Sequence, residues 1–235
     1  PEHLVWFKWE AYLTWVTGFL LLCLQYYVNA ESYLIDPAVM ALLPWQAIAV
    51  SVVSLAAGWA VYDFLCRRLA VSHPQLLAGL VFVLIMAASF GYTHVYSGRG
   101  AFIHIGIFIG TLMAANVFAV IIPNQRKITA ALIRGEAPDP AFGATGKQRS
   151  LHNTYLTLPV LVMMVSNHYA MLTDHPQAWI LAGLIIVGGV ALRQADPRGR
   201  TAVLRRRVDA NQERCERLAV ARIAGVRLRL EKTRA

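Results

Sequence analysis

Charge is scarce in this chain. Only 15% of its residues are Asp, Glu, Lys or Arg, against 57% hydrophobic, whereas a soluble domain runs near one quarter charged. That shortage argues against a disordered chain and against a water-soluble one. Cysteine is scarcer still. Cys23, Cys66 and Cys215 are odd in number and far apart, and no CxxC or CxxCH occurs, which argues against a disulfide framework, a thiolate zinc site and a covalently attached c-type haem. A secretory leader is not expected at the start either, because Glu2, Lys8 and Glu10 interrupt the apolar run.

Acidic residues are the scarcer sign, 13 against 22 Lys and Arg, for a net charge of +9. Such an excess points to nucleic acid or to an anionic membrane surface, and its distribution decides between them. Residues 193–235 hold thirteen basic residues (twelve Arg, one Lys) and five acidic ones, a net of +8; residues 1–192 hold nine and eight, a net of +1. No nucleic-acid partner is expected. The nearly neutral apolar body expects a lipid bilayer.

Six apolar stretches carry that body: 11–28, 45–66, 76–96, 101–122, 156–172 and 178–192. The first five have 17 to 22 residues, enough at 1.5 Å per residue to cross a hydrocarbon core of about 30 Å. The sixth, at 15 residues, reaches only about 22 Å. Lipid cannot satisfy open backbone groups, so all are expected as helices. The fold class is all-α, a polytopic membrane bundle with about six transmembrane helices over 1–192. The Arg-rich tail 193–235 is expected to be solvated helix or disorder; twelve arginines to one lysine also fits GC-rich DNA read in a foreign frame.

Loop charges alternate. Glu31 and Asp36 follow the first stretch, Arg67 and Arg68 the second and Arg99 the third. Arg126, Lys127, Arg134, Lys147 and Arg149 follow the fourth, and Asp174 the fifth. The positive-inside rule then makes the basic loops cytoplasmic, with both ends of the chain inside. The segment 123–150, with Gly135, Pro138, Pro140, Gly143 and Gly146, reads as one long loop, a kind that is usually functional or disordered.

Ionisable groups in spanning helices are functional candidates by default. With this orientation His94, His104 and His168 share the outer depth, and His152 lies at the inner end. On the fifth stretch Thr157, Leu161, Met164 and His168 fall on one stripe, flanked by Asn167, and Pro159 can bend the helix. Facing imidazoles suit the axial positions of a b-type haem; the alternative is interfacial histidines bonded to neighbours. Arg99 suits a flat anion or a haem propionate, or is an ordinary snorkelling arginine. Asp63 and Arg67, at i and i+4, read as a structural pair.

Several runs together resemble a known family. They include Trp6-Phe7-Lys8-Trp9-Glu10, Tyr33-Leu34-Ile35-Asp36-Pro37, Gly58-Trp59 with Tyr62-Asp63 and Cys66-Arg67, and Ser97-Gly98-Arg99-Gly100-Ala101 with His104. Ile121-Ile122-Pro123-Asn124-Gln125-Arg126-Lys127, Lys147-Gln148-Arg149-Ser150-Leu151-His152-Asn153 and Ser166-Asn167-His168-Tyr169 follow in order. They look like the membrane domain of bacterial membrane-bound urate oxidases. The resemblance implies an inner-membrane enzyme of purine catabolism that oxidises urate to 5-hydroxyisourate and passes electrons to a cytochrome c domain or a separate cytochrome c. Arg99, His104, His152, Asn153, Asn167 and His168 match the family's polar motif positions. Expected roles are urate binding and proton transfer for Arg99, His152, Asn153 and Asn167, and haem-iron ligation for His104 and His168. Alternatives are a non-catalytic haem-bearing electron-transfer subunit and a transporter. Relatives in the family carry hydrophobic sequence before the position where this chain begins and commonly end in a cytochrome c domain, so the chain is expected to be partial.

Overall fold

The computed structural model describes residues 2–70 and 72–195, so the expectation for 193–235 falls almost wholly outside the described residues. The chain divides into two compact units, Pro1–Val190 and Ala191–Ala235, and the first holds the helical bundle. Helix is the only regular structure among the described residues.

Most helices start on a recognisable signal. Helix α1 (Glu2–Leu22) widens into a π-helical turn at Cys23–Tyr27 and is followed by the short α2 (Ala30–Tyr33). Pro44 and Pro74 open α3 (Pro44–Leu69) and α4 (Pro74–Thr93), where a missing N–H costs nothing. Ser97 caps α5 (Gly98–Ala115), its hydroxyl accepting from the Gly100 N–H. Asp139 caps α7 (Pro140–Val165) in the same way, through the Ala141 N–H. Helix α9 (Ala178–Ala195) is the last among the described residues.

Helices α3, α4, α9 and the continuous rod Gly98–Ile133 are long and apolar enough to cross a membrane. Outward-facing Val53, Phe64, Val83, Phe90 and Leu184 are all exposed, as befits a surface solvated by lipid rather than water. The interior is built on α5, which packs against α3, α4 and α7. Close approach depends on small residues: a Cβ on Gly58 would stand 2.1 Å from the Phe108 ring, and one on Gly189 would stand 2.8 Å from Pro159 Cδ.

Two expectations are corrected. The segment 123–150 is mostly helix: α6 (Ile122–Ile133) continues α5, and α7 begins at Pro140, leaving only 134–139 between them. The continuation passes through a π-helical segment, Asn116–Ile121, in which the Ile122 N–H reaches back to Val117 O. Pro123 has no N–H to offer the preceding turn, and the wider π register accommodates that. The fifth stretch, in turn, is not one helix. Helix α7 ends at Val165, and a 3₁₀ turn (Ser166–His168) and the short α8 (Ala170–Thr173) follow. The Ser166 hydroxyl turns back onto Met163 O. His168 therefore sits on a turn beyond the helix and not on a helical stripe with Thr157 and Met164.

Candidate functional site

The polar side chains gather at two levels. One lies where α5 and α3 begin, the other where α3 ends and α7 begins, the end that carries Arg67, Arg68, Lys127 and Lys147.

At the first level His104 is fully buried, 0% exposed. Its Nδ1 is 2.8 Å from Gly100 O. A carbonyl only accepts, so the proton sits on Nδ1. Nε2 then holds the lone pair and accepts from the Ser51 hydroxyl at 3.0 Å, while Ser51 Oγ lies 2.8 Å from the Tyr27 hydroxyl. The rings of Tyr96, Tyr92 and Tyr26 surround the imidazole at 4.7, 5.7 and 5.9 Å. Tyr96 donates to Ala47 O, and Tyr92 meets Ser54. Nothing polar here is left open.

This arrangement does not fit a pair of axial histidines. Both nitrogens of His104 are engaged and its faces are covered by tyrosines, while His168 is exposed on the turn after α7. Among the described residues no group of three or more His, Cys, Asp or Glu could hold a metal ion.

The second level is charged. Asp63, on α3, accepts from Arg67 Nε at 2.6 Å and from Arg149 Nη2 at 2.7 Å. Arg149 comes from α7 and its side chain is only 2% exposed, against 72% for Arg67. Its Nη1 donates to Asn116 Oδ1 at 3.1 Å. Asn116 stands at the start of the π segment and spends both amide protons inward, on the Tyr62 hydroxyl (2.9 Å) and on Asn153 Oδ1 (3.0 Å). Asn153 donates to Met113 O. Tyr62 and His152 Nδ1 share a proton at 2.8 Å, and Gln148 lies between His152 Nε2 and Cys66 Sγ at 3.3 and 3.7 Å. The Arg149 guanidinium also rests over the Tyr62 ring at 5.1 Å.

Burial, reinforced by the neighbouring Arg149 charge, pushes the His152 pKa down to about 4. His152 is therefore a neutral imidazole at pH 7, able to take up a proton. One bonded network thus joins a neutral base to a buried guanidinium.

Of the six residues singled out from the sequence, only His152 and Asn153 meet in this cluster. Arg99 is exposed at the opposite end and makes no hydrogen bond or ion pair among the described residues. It stands 17 positions before Asn116 on one continuous rod, about 26 Å along the axis. Asn167 lies on the 3₁₀ turn; its side chain is outside the described residues. From the sequence Asp63 has only a structural pairing with Arg67, and Tyr62, Asn116 and Arg149 have no role in the site. The signal for Arg149 is the buried row Gly146, Arg149, Leu156, Val160 and Met163, whose spacing marks a helix face inside the supposed loop.

A polytopic helical membrane protein with an ionised cluster buried among its helices is the class defined by this fold and site. The residues themselves say which one. The chain belongs to the urate oxidase N-terminal family, whose model matches residues 1–202 and so runs past Arg193, where the basic tail begins. Comparison with curated proteins and with solved structures found no match.

Proposed function

We propose that this domain oxidises urate to 5-hydroxyisourate and passes the electrons to cytochrome c, in the inner membrane of a bacterium with the basic helix ends cytoplasmic. The family match across 1–202 carries the reading. The reaction takes urate and one water to 5-hydroxyisourate, two protons and two electrons, so two ferricytochromes are reduced for each urate. Its chemical demands are a base for a urate N–H proton, groups that hold a flat heterocycle, and a path for electrons.

The buried cluster on α3, the π segment and α7 supplies the first two. Neutral His152 is the proton acceptor: the Gln148 amide donates to its Nε2 at 3.3 Å, which puts the lone pair there, and Nε2 receives the proton once that side chain turns aside. Asn153 sits beside it, positioned through Met113 O and Asn116, and presents an amide to the ring edge. No step is assigned to haem.

The test uses the intact gene product in detergent or nanodiscs. Urate-dependent reduction of ferricytochrome c, read at the cytochrome α-band with two equivalents reduced per urate and no hydrogen peroxide released, is the expected result. A protein that takes electrons but never consumes urate would instead be an electron-transfer subunit, and the proposal would fall.

A further inference from the structure

Among the described residues just two buried side-chain polar atoms lack a hydrogen-bond partner, Trp59 Nε1 and Arg149 Nε. Both are N–H donors. Both belong to elements that meet in the charged cluster: Arg149 is bonded into it directly, and Trp59 lies one helical turn before Asp63 on α3. Native interiors leave few such groups open, and each calls for an explanation. Two orphaned donors ask for an acceptor.

The charge count points the same way. Asp63 is the single carboxylate bonded to two guanidinium groups, and His152, Asn116, Asn153 and Tyr62 add no negative charge. The three ionised groups sum to one positive charge, and it sits on the solvent side: Arg67 is 72% exposed, while Arg149, 2% exposed between helices, is paired with Asp63. A monoanion carrying several carbonyl oxygens would meet a site of net positive charge and satisfy the open Arg149 Nε–H. Arg99 offers no such argument, because an exposed guanidinium is satisfied by water.

The geometry points to Arg149 as the cation that receives the anionic substrate, through its open Nε. Asp63 and Asn116 hold the other two guanidinium nitrogens and so fix the direction of the third. The ligand class is a planar, acceptor-rich monoanion. The inference rests on the reading of urate as substrate, and it assigns to that site the group that selects for charge.

Two measurements separate the two claims. Urate turnover by the wild-type protein tests the reaction. Equilibrium dialysis of urate, and of its neutral 1,3,7,9-tetramethyl analogue, with no electron acceptor present, tests the anion site. Wild type is expected to bind urate at least tenfold more tightly than the neutral analogue. Arg149→Lys keeps the charge but loses the fork, and should weaken urate binding by tenfold or more and raise KM more than it lowers kcat. If Arg149→Lys does not fold, the paired Asp63→Asn/Arg149→Gln variant removes both charges while keeping polar side chains at both positions, and should erase the preference for the anion. A folded variant of either kind that keeps wild-type urate affinity and anion preference overturns the inference. Wild type that binds both compounds equally overturns it as well, whatever the turnover shows.

Discussion

The two polar levels of this bundle differ in how completely they are satisfied. Around His104 every donor has an acceptor: Tyr27, Ser51, His104 and Gly100 form an unbroken chain, and tyrosine rings cover the imidazole. Around Asp63 and Arg149 the bonding is denser, yet the Arg149 Nε–H stays open, as does the indole N–H of Trp59 one helical turn before Asp63. A histidine buried in a membrane helix attracts attention as a ligand, and here it is the better explained of the two sites. A closed network fixes helices in register, whereas an open one has something left to bind. Depth in the membrane therefore says less about function than unfinished bonding does.

The largest effect should come from breaking the charged level. Asp63→Leu leaves Arg149 buried without its carboxylate, which is expected to cost about 3–5 kcal/mol and to abolish a monodisperse peak in size-exclusion chromatography. A well-folded Asp63→Leu protein would mean that this level is no more exacting than the other. Next in size is Gly98→Ala, whose added Cβ would stand 2.2 Å from Thr173 O. It should destabilise by about 1–3 kcal/mol, seen as a lower melting temperature, while urate KM stays within twofold. Ser51→Ala removes the hydroxyl between Tyr27 and His104, and its expected cost is about 1–3 kcal/mol of melting stability, again with KM little changed. A large rise in KM for either would move substrate binding to the His104 level.

The smallest effect expected is a pH profile that stays flat. His152 titrates near pH 4 in the folded protein, below the ordinary value of 6.5. Its neutral form persists from pH 8 down to about 5, and kcat/KM should change less than twofold between about pH 8 and 6, below which protonation of urate itself removes the anionic substrate. The sign for stability is the reverse of a salt-bridged histidine's. Its contribution is complete above pH 6.5 and is lost as pH falls from there toward 4. An activity loss centred near pH 6.5 would show that the base is more exposed than His152 is here.

Legibility in the sequence followed the same division. Hydropathy found the membrane helices because apolar length is a local property, and Ser97 and Asp139 mark helix starts that can be read directly. The supposed long loop hid the charged level. Its Gly and Pro residues drew attention away from the buried spacing at Gly146, Arg149 and Leu156, so Arg149 was counted as a cytoplasmic loop charge. Asp63 was paired with Arg67 by the i, i+4 rule, and that pair exists at 2.6 Å. What the rule could not see was a second guanidinium from a helix 86 positions away. The outer histidines show a related limit: equal depth places side chains at one level but says nothing about whether their nitrogens are already taken.

The π segment at Asn116–Ile121 has a genetic consequence. Such a segment amounts to an α-helix with one residue inserted, so deleting a single residue from it, Ala119 for example, would restore ordinary helical register instead of breaking the rod. The helix on either side would keep its facing, with Lys127 still over the Phe142 ring it covers at 4.9 Å, and what would be withdrawn is the wide turn that presents Asn116 to Arg149. In-frame loss of one codon here would leave a chain that still inserts as a helix while its polar hub falls out of alignment.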